Sequence, residues 1–434
     1  MAVEWVVLAV LALMFGLLAL GVQLGLAMAG SAVLGLVGLI GADGALALAG
    51  RSVYESASSF ELSVIPLFVL MGSISARSGL SADLFESFNV LLASRRGGLA
   101  HAAVGACAAF GTVCGSSMAT AATMGRVALP EMRRYGYDPS LASGTVAAGG
   151  TIGILIPPSV VLAVYGLLTE TNIGSLFIAG IIPGLLLTAS FMVAIVIVTL
   201  IWPNQAPSAR RDISAAERWQ ALRKVWPTLL LFIAVIGGIY VGVFTPIEAA
   251  AVGSFGALLI GAALRRLNVQ LVIDSLFETL ETTAMIFLIL IGAVLFGHFV
   301  TFRGMPDLMG QWITALHFSH MGTMLVILMI YLALGAVLDA MAMVFLTIPV
   351  FFPIVVSLGY DPIWFGILVV LMVELALISP PLGMNVFVIR GIDDSLSLAQ
   401  VFRGVAPFCV AMVVVVALVL LEPRIVTWLP ALMQ

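Results

Sequence analysis

Two adjacent prolines, Pro157 and Pro158, interrupt the stretch GGTIGILIPPS (149–159), and a second pair, Pro380 and Pro381, interrupts ELALISPPLGMN (374–385). The pairs stand 223 positions apart. A proline inside a helix removes an N–H and clashes with the carbonyl four residues back, at about 3 kcal/mol or more. Carbonyls freed in this way are hard oxygen ligands, suited to a small hard cation such as Na+. The half-helix that restarts after the break presents free N–H groups and a positive dipole end, suited to a carboxylate. Other candidates lie in neighbouring segments. FGTVCGSSMAT (110–120) holds Ser116 and Ser117, which can cap a helix or offer hydroxyl oxygens. LGAVLDAMAM (334–343) holds Gly335 and Asp339. Glu374 precedes the second proline pair, and Glu248 lies in FTPIEAAAVGS (244–254).

The elements that carry these residues must be membrane helices. Of 434 residues, 62% are hydrophobic and 9% charged, and the mean hydropathy is +1.20. A soluble domain has about 25% charged residues. A transmembrane helix needs roughly 20 apolar residues to cross about 30 Å of hydrocarbon. Apolar windows of this kind occur at 5–22, 181–202, 228–244, 249–264, 283–300, 323–338 and 405–421. The ten-residue alternation of a barrel is not seen. In hydrocarbon, unsatisfied carbonyls cost several kcal/mol each, so a broken backbone persists only where it is buried or lines a wet cavity. A carboxylate in such a segment is costly and usually functional, which marks Asp339, Glu374 and Glu248.

The chain also reads as a repeat. GYDP occurs at 136–139 and 359–362, and Pro130 and Pro353, Gly30-Ser31 and Gly253-Ser254, and the proline pairs share one offset. The Gly180 to Pro183 stretch matches Gly404 to Pro407 at 224. The expected organisation is a first repeat over 1–202, a basic linker over 203–226, and a second repeat over 227–434. Each repeat holds scaffold helices, a hairpin (97–130 and 322–353) and a broken helix (139–169 and 361–390). The pieces on either side of each hairpin break are too short to span a bilayer, which suits re-entrant hairpins. Arg210, Arg211, Arg218, Arg223 and Lys224 outnumber Asp212 and Glu217 in the linker, which places it on the cytoplasmic side. The fold class is therefore an all-α polytopic membrane protein. It consists of two inverted structural repeats with re-entrant hairpins and Pro-broken helices, the architecture of a secondary transporter with its site near the midplane.

FTPIEAAAVGS, GTVCGSSMAT, GTIGILIPPS and ISPPLGMNVFV, in this order and at these distances, resemble the large membrane subunit of the tripartite ATP-independent periplasmic (TRAP) transporters. The resemblance covers essentially the whole chain. It implies a carrier in a bacterial inner membrane, driven by a sodium gradient, in which a transport domain moves against a scaffold as an elevator. It also implies a small four-helix membrane subunit and a periplasmic substrate-binding protein that delivers an organic acid. The chain begins directly with the large-subunit pattern, so the small subunit is expected to be a separate polypeptide.

Sodium sites in the family lie where a hairpin tip meets a broken helix. Carried over, the first involves Ser116 and Ser117 with backbone oxygens around Gly153, Ile156 and Ser159. The second involves Gly335 and Asp339 with Ala376, Ser379 and Leu382. Thr151, Pro158 and Asn385, beside the breaks, are expected substrate contacts. At least two Na+ ions are implied, with no nucleotide, transition metal or nucleic acid.

Other readings are weaker. A single-component sodium/anion symporter shares the hairpin architecture but needs no binding protein. An intramembrane serine hydrolase would use CGSS with His101 or His298, yet no G-x-S-x-G or S-x-x-K pattern frames the serine. An ATP-driven pump lacks a phosphate loop in this chain. A channel fits broken inverted repeats less well than alternating access does.

Overall fold

The computed structural model describes residues 2–92, 96–207, 214–304, 319–335 and 338–432. Among them every regular element is a helix. The chain opens with α1 (Ala2–Ala19) and α2 (Leu24–Ser58), followed by α3 (Val64–Arg77) and α4 (Leu80–Leu92). The first hairpin is α5 (Gly98–Cys114) and α6 (Ser117–Arg134). The first broken helix is α7 (Pro139–Leu155) and α8 (Val160–Thr169), bent by 41° at the proline pair. A long span, α9 (Ile173–Ile201), follows.

The remaining described residues hold a second hairpin and a second broken helix. They form α10 (Ala215–Phe232), α11 (Pro246–Ala263) and α12 (Val269–Phe302), then α13 (His320–Leu334) and α14 (Ala340–Ser357). The second broken helix is α15 (Pro362–Ile378) and α16 (Met384–Ile392), and α17 (Leu398–Leu421) and α18 (Arg424–Ala431) end the described chain. Seven of the described helices are long and apolar enough to cross a membrane, or up to nine if each bent pair is one span.

Helix boundaries follow the sequence offset closely. Residues 117–134 of α6 and 340–357 of α14 are 223 apart at both ends, as are 139–155 of α7 and 362–378 of α15. The caps match too. Asp138 and Asp361 each accept a backbone N–H at the start of the broken helices, and Pro139 and Pro362 take the first helical positions. A proline there costs nothing, because that N–H has no helical partner anyway.

Some elements depart from expectation. The apolar windows leave out α2, whose 35 residues form the longest helix described. The polar insertion Gly-Ala-Asp-Gly at 41–44 dilutes its hydropathy, and Gly41, at φ 77, bends the helix there. The window at 5–22 yields a helix that stops at Ala19. The later part of the basic linker is helical from Ala215, opened by a capping box of Ser214 and Glu217. Arg210, Arg211 and Asp212 lie outside the described residues.

Packing relies on small residues. Without a hydrophobic force between helices in lipid, association depends on close van der Waals contact. At Gly144 of α7 a β-carbon would lie 2.1 Å from the Gly404 carbonyl carbon of α17. At Gly111 of α5 it would lie 2.3 Å from the α-carbon of Gly153 on α7. Two large buried side chains have their polar tips satisfied: Tyr165 donates to the Pro362 carbonyl at 2.6 Å and Trp364 Nε1 to that of Val419 at 2.8 Å. Large apolar side chains on α9 and α10, among them Leu200, Leu229 and Leu230, are exposed, as a lipid-facing surface requires.

Candidate functional site

The first hairpin turns in two residues. Gly115 ends α5 with φ +64, and its N–H reaches the Gly111 carbonyl at 3.0 Å. Ser116 is extended and caps α6, accepting the Ala119 N–H at 3.4 Å. The tip lies against the first break, because a β-carbon at Gly115 would sit 3.0 Å from the Pro158 carbonyl oxygen. Ser159 restarts the chain after the prolines, and its Oγ accepts the Leu162 N–H at 3.2 Å. Ile156 ends α7, and its side chain packs where a β-carbon of Gly184 would be, at 2.4 Å.

The second hairpin repeats the design with a different cap. Asp339 stands 223 residues after Ser116 and accepts the Ala342 N–H at 2.6 Å. Gly335 is buried against Ala376, with a would-be β-carbon only 2.0 Å from that methyl. Ser379 ends α15; its N–H reaches Ala376 O at 3.2 Å and its Oγ donates to Leu375 O at 2.7 Å. The two breaks differ in exposure. Ser159 is fully buried, whereas Leu382, its counterpart, is 39% exposed.

Both tips line one cavity of about 360 Å³, which residues of α3 and α12 also border. Ser116, Ser117 and Asp339 reach it, as do Ile154 and Leu377. The last two have a simple origin. In a continuous helix the N–H groups at positions 158 and 381 would bond the carbonyls four residues back, at 154 and 377. Proline supplies neither N–H. Sequence reasoning passed over these two residues, although counting back four from the second proline of each pair finds them.

The α3 and α12 wall adds charge. Glu278 accepts from Ser73 Oγ at 2.7 Å and pairs with Arg77 at 2.9 Å, and Arg77 also lies 3.8 Å from Asp274. Ser73 and Glu278 line the cavity. No local signal marked them, since they lie 205 residues apart in sequence.

The expected substrate contacts stand apart from the cavity lining. Thr151 is buried and donates to the Ala148 carbonyl at 2.6 Å. Pro158 faces Gly115. Asn385 is buried and donates to Ser117 Oγ at 2.8 Å and to Ala147 O at 3.2 Å. Ser117 Oγ in turn donates to Glu374 at 2.9 Å. Glu248 has a local role: with Thr245 it forms a capping box at the exposed start of α11. His101 is no base for the tip serines, being near the other end of α5, roughly 20 Å away at 1.5 Å per residue.

Comparison with known proteins places this arrangement. The sequence model described as "Tripartite ATP-independent periplasmic transporter, DctM component" matches residues 11–425. The C4-dicarboxylate TRAP transporter large permease protein DctM of Pseudomonas aeruginosa is 37% identical, over 87% of this chain and 88% of that protein. The sialic acid TRAP transporter large permease protein SiaM of Vibrio cholerae is 32% identical, over 88% and 89%. Among solved structures, the Alcanivorax borkumensis YdaH transporter superposes with a TM-score of 0.63 at 18% identity, over 88% of this chain and 89% of that one, a likeness of fold.

Proposed function

We propose that this chain, which belongs to the DctM component family of the tripartite ATP-independent periplasmic transporters, couples a sodium gradient to uptake of an organic acid. The chain is a transporter permease and not an enzyme. One observation carries the sodium reading. Both hairpin tips, and the two residues, Ile154 and Leu377, that stand four positions before the second proline of each pair, line a single cavity.

The caps divide the labour there. Ser116 is neutral, so the N-terminus of α6 keeps its positive dipole end for a substrate carboxylate. Asp339 brings its own negative charge to the N-terminus of α14, which gives that tip a fixed counter-charge for a cation. Sodium then binds at the two hairpin–break contacts, with Ser116, Ser117, Gly153, Ile156 and Ser159 at one. Gly335, Asp339, Ala376, Ser379 and Leu382 form the other. The halves are inverted, and the hairpins with the broken helices move as an elevator against a scaffold that includes α2, α3 and α12. The burial of one break and the exposure of the other fit alternating access across such a pair.

In this reading the chain sits in a bacterial inner membrane with the 203–226 linker cytoplasmic. A small four-helix subunit covers part of its apolar flank, and a periplasmic binding protein delivers a carboxylate. The relatives are named for C4-dicarboxylates and sialic acid, so both belong in the panel. The test is uptake of labelled organic acids into proteoliposomes holding both membrane subunits, with and without the binding protein. Uptake that needs the binding protein supports the tripartite carrier. Equal uptake without it points to a single-component symporter.

A further inference from the structure

Behind the cavity lies a polar cluster with unfilled positions. Ser117, Glu374 and Asn385 are each at most 1% exposed. Ser117 comes from the first hairpin, and Glu374 and Asn385 flank the second break. Asn385 Nδ2 gives one hydrogen to Ser117 Oγ and the other to Ala147 O. The carbonyl of Ala147 fixes the amide orientation, since an amide oxygen there would face another acceptor. Asn385 Oδ1 is therefore turned away and has no partner. Ser117 spends its one hydrogen on Glu374 Oε2, and Glu374 Oε1 also has no partner. Both unfilled oxygens lie within one carboxylate or amide width of the atoms that hold Ser117 Oγ.

Two buried acceptors without a donor need an occupant. A carboxyl group in a dry interior either holds a proton or takes a counter-charge. Among the described residues no ion pair includes Glu374. We propose that one monovalent hard cation of the Na+ class binds at this cluster, held by Glu374, Asn385 and the second lone pair of Ser117. One carboxylate balances one such charge, and carboxylate, amide and hydroxyl oxygens suit a hard ion. The position adjoins the first hairpin–break contact through Ser117 and differs from both contacts in its other two ligands, because neither Glu374 nor Asn385 lines the cavity. The inference goes beyond the proposed function and needs only these oxygens, not transport.

The test is equilibrium binding of radioactive Na+ to the purified chain in detergent, at constant ionic strength and pH, with choline as the balancing ion. Glu374→Gln keeps shape and hydrogen bonding but removes the charge, and it is expected to lower the number of ions bound per chain by one. Asn385→Ala keeps the charge but loses an oxygen ligand, and it is expected to weaken that ion roughly tenfold or more. Asp339→Asn is expected to leave the Glu374 ion in place. An unchanged number and affinity in Glu374→Gln overturns the site and leaves the proposed function standing. If Glu374→Gln does not fold, unchanged binding in Asn385→Ala overturns it. No Na+ binding by the wild type overturns both.

Discussion

Gly335→Ala perturbs the second hairpin through space alone. The backbone there is helical, with φ −67 and ψ −10, so alanine adopts it without strain. The new β-carbon would lie 2.0 Å from the Ala376 β-carbon and 3.1 Å from the Met343 sulfur. Non-bonded carbons rest about 3.5–4.0 Å apart, so the tip must retreat from α15 by roughly 1.5–2 Å. Met343 can rotate aside, but Ala376 is backbone-anchored and almost fully buried. Overpacking of this kind costs about 1–3 kcal/mol, or roughly 5- to 150-fold in an equilibrium constant. The sodium concentration for half-maximal uptake should rise by about that factor in proteoliposomes. Ala376→Gly removes the methyl that is struck, so the double variant should recover most of the loss. A Gly335→Ala protein with wild-type sodium activation would refute the reasoning. So would a double variant no better than the single.

Ser116→Ala removes a helix cap worth about 1 kcal/mol and should reduce both thermal stability and sodium sensitivity. Asp339→Asn keeps the cap and loses the charge, so sodium activation should weaken while stability holds; unchanged activation would remove Asp339 from the site. Gly404→Ala places a β-carbon 1.9 Å from the Ser140 carbonyl oxygen, and neither backbone can yield, whereas Gly38 has nothing within 4 Å. Melting in detergent should show a severe loss for the first and a change within about 1 kcal/mol for Gly38→Ala; equal effects would contradict the close contact of α7 and α17. Glu248→Ala should open the capping box, lower the melting temperature slightly in detergent and leave sodium activation of uptake unchanged. A shift in sodium activation would return Glu248 to the site.

Proline pairs and GYDP were legible because they dictate backbone shape, and backbone shape is what recurs at the 223 offset. Helix ends of α6, α7, α14 and α15 follow from those residues directly. Side-chain partnerships were less legible. Ser117 meets Glu374 across 257 positions and Asn385 across 268, and no periodicity encodes such a meeting. The Glu278–Arg77 pair hides for the same reason, in segments that read as ordinary membrane helix. Glu248 misled because an acid in an apolar run signals cost, although Thr-Pro-Ile-Glu is itself a capping-box sequence. The long α2 was missed because a window of hydropathy stops at Gly41-Ala-Asp-Gly44, where the helix only bends.

That the cavity between the hairpin tips couples sodium to substrate is tested most directly in proteoliposomes holding both membrane subunits, with the loaded binding protein outside. Labelled substrate uptake would be followed under an inward sodium gradient and under an equal potassium gradient, for the wild type and for Asp339→Ala. Sodium-specific accumulation above the external concentration, lost or strongly weakened in Asp339→Ala, is the expected result. Accumulation that is the same with potassium, or that Asp339→Ala leaves intact, would contradict it.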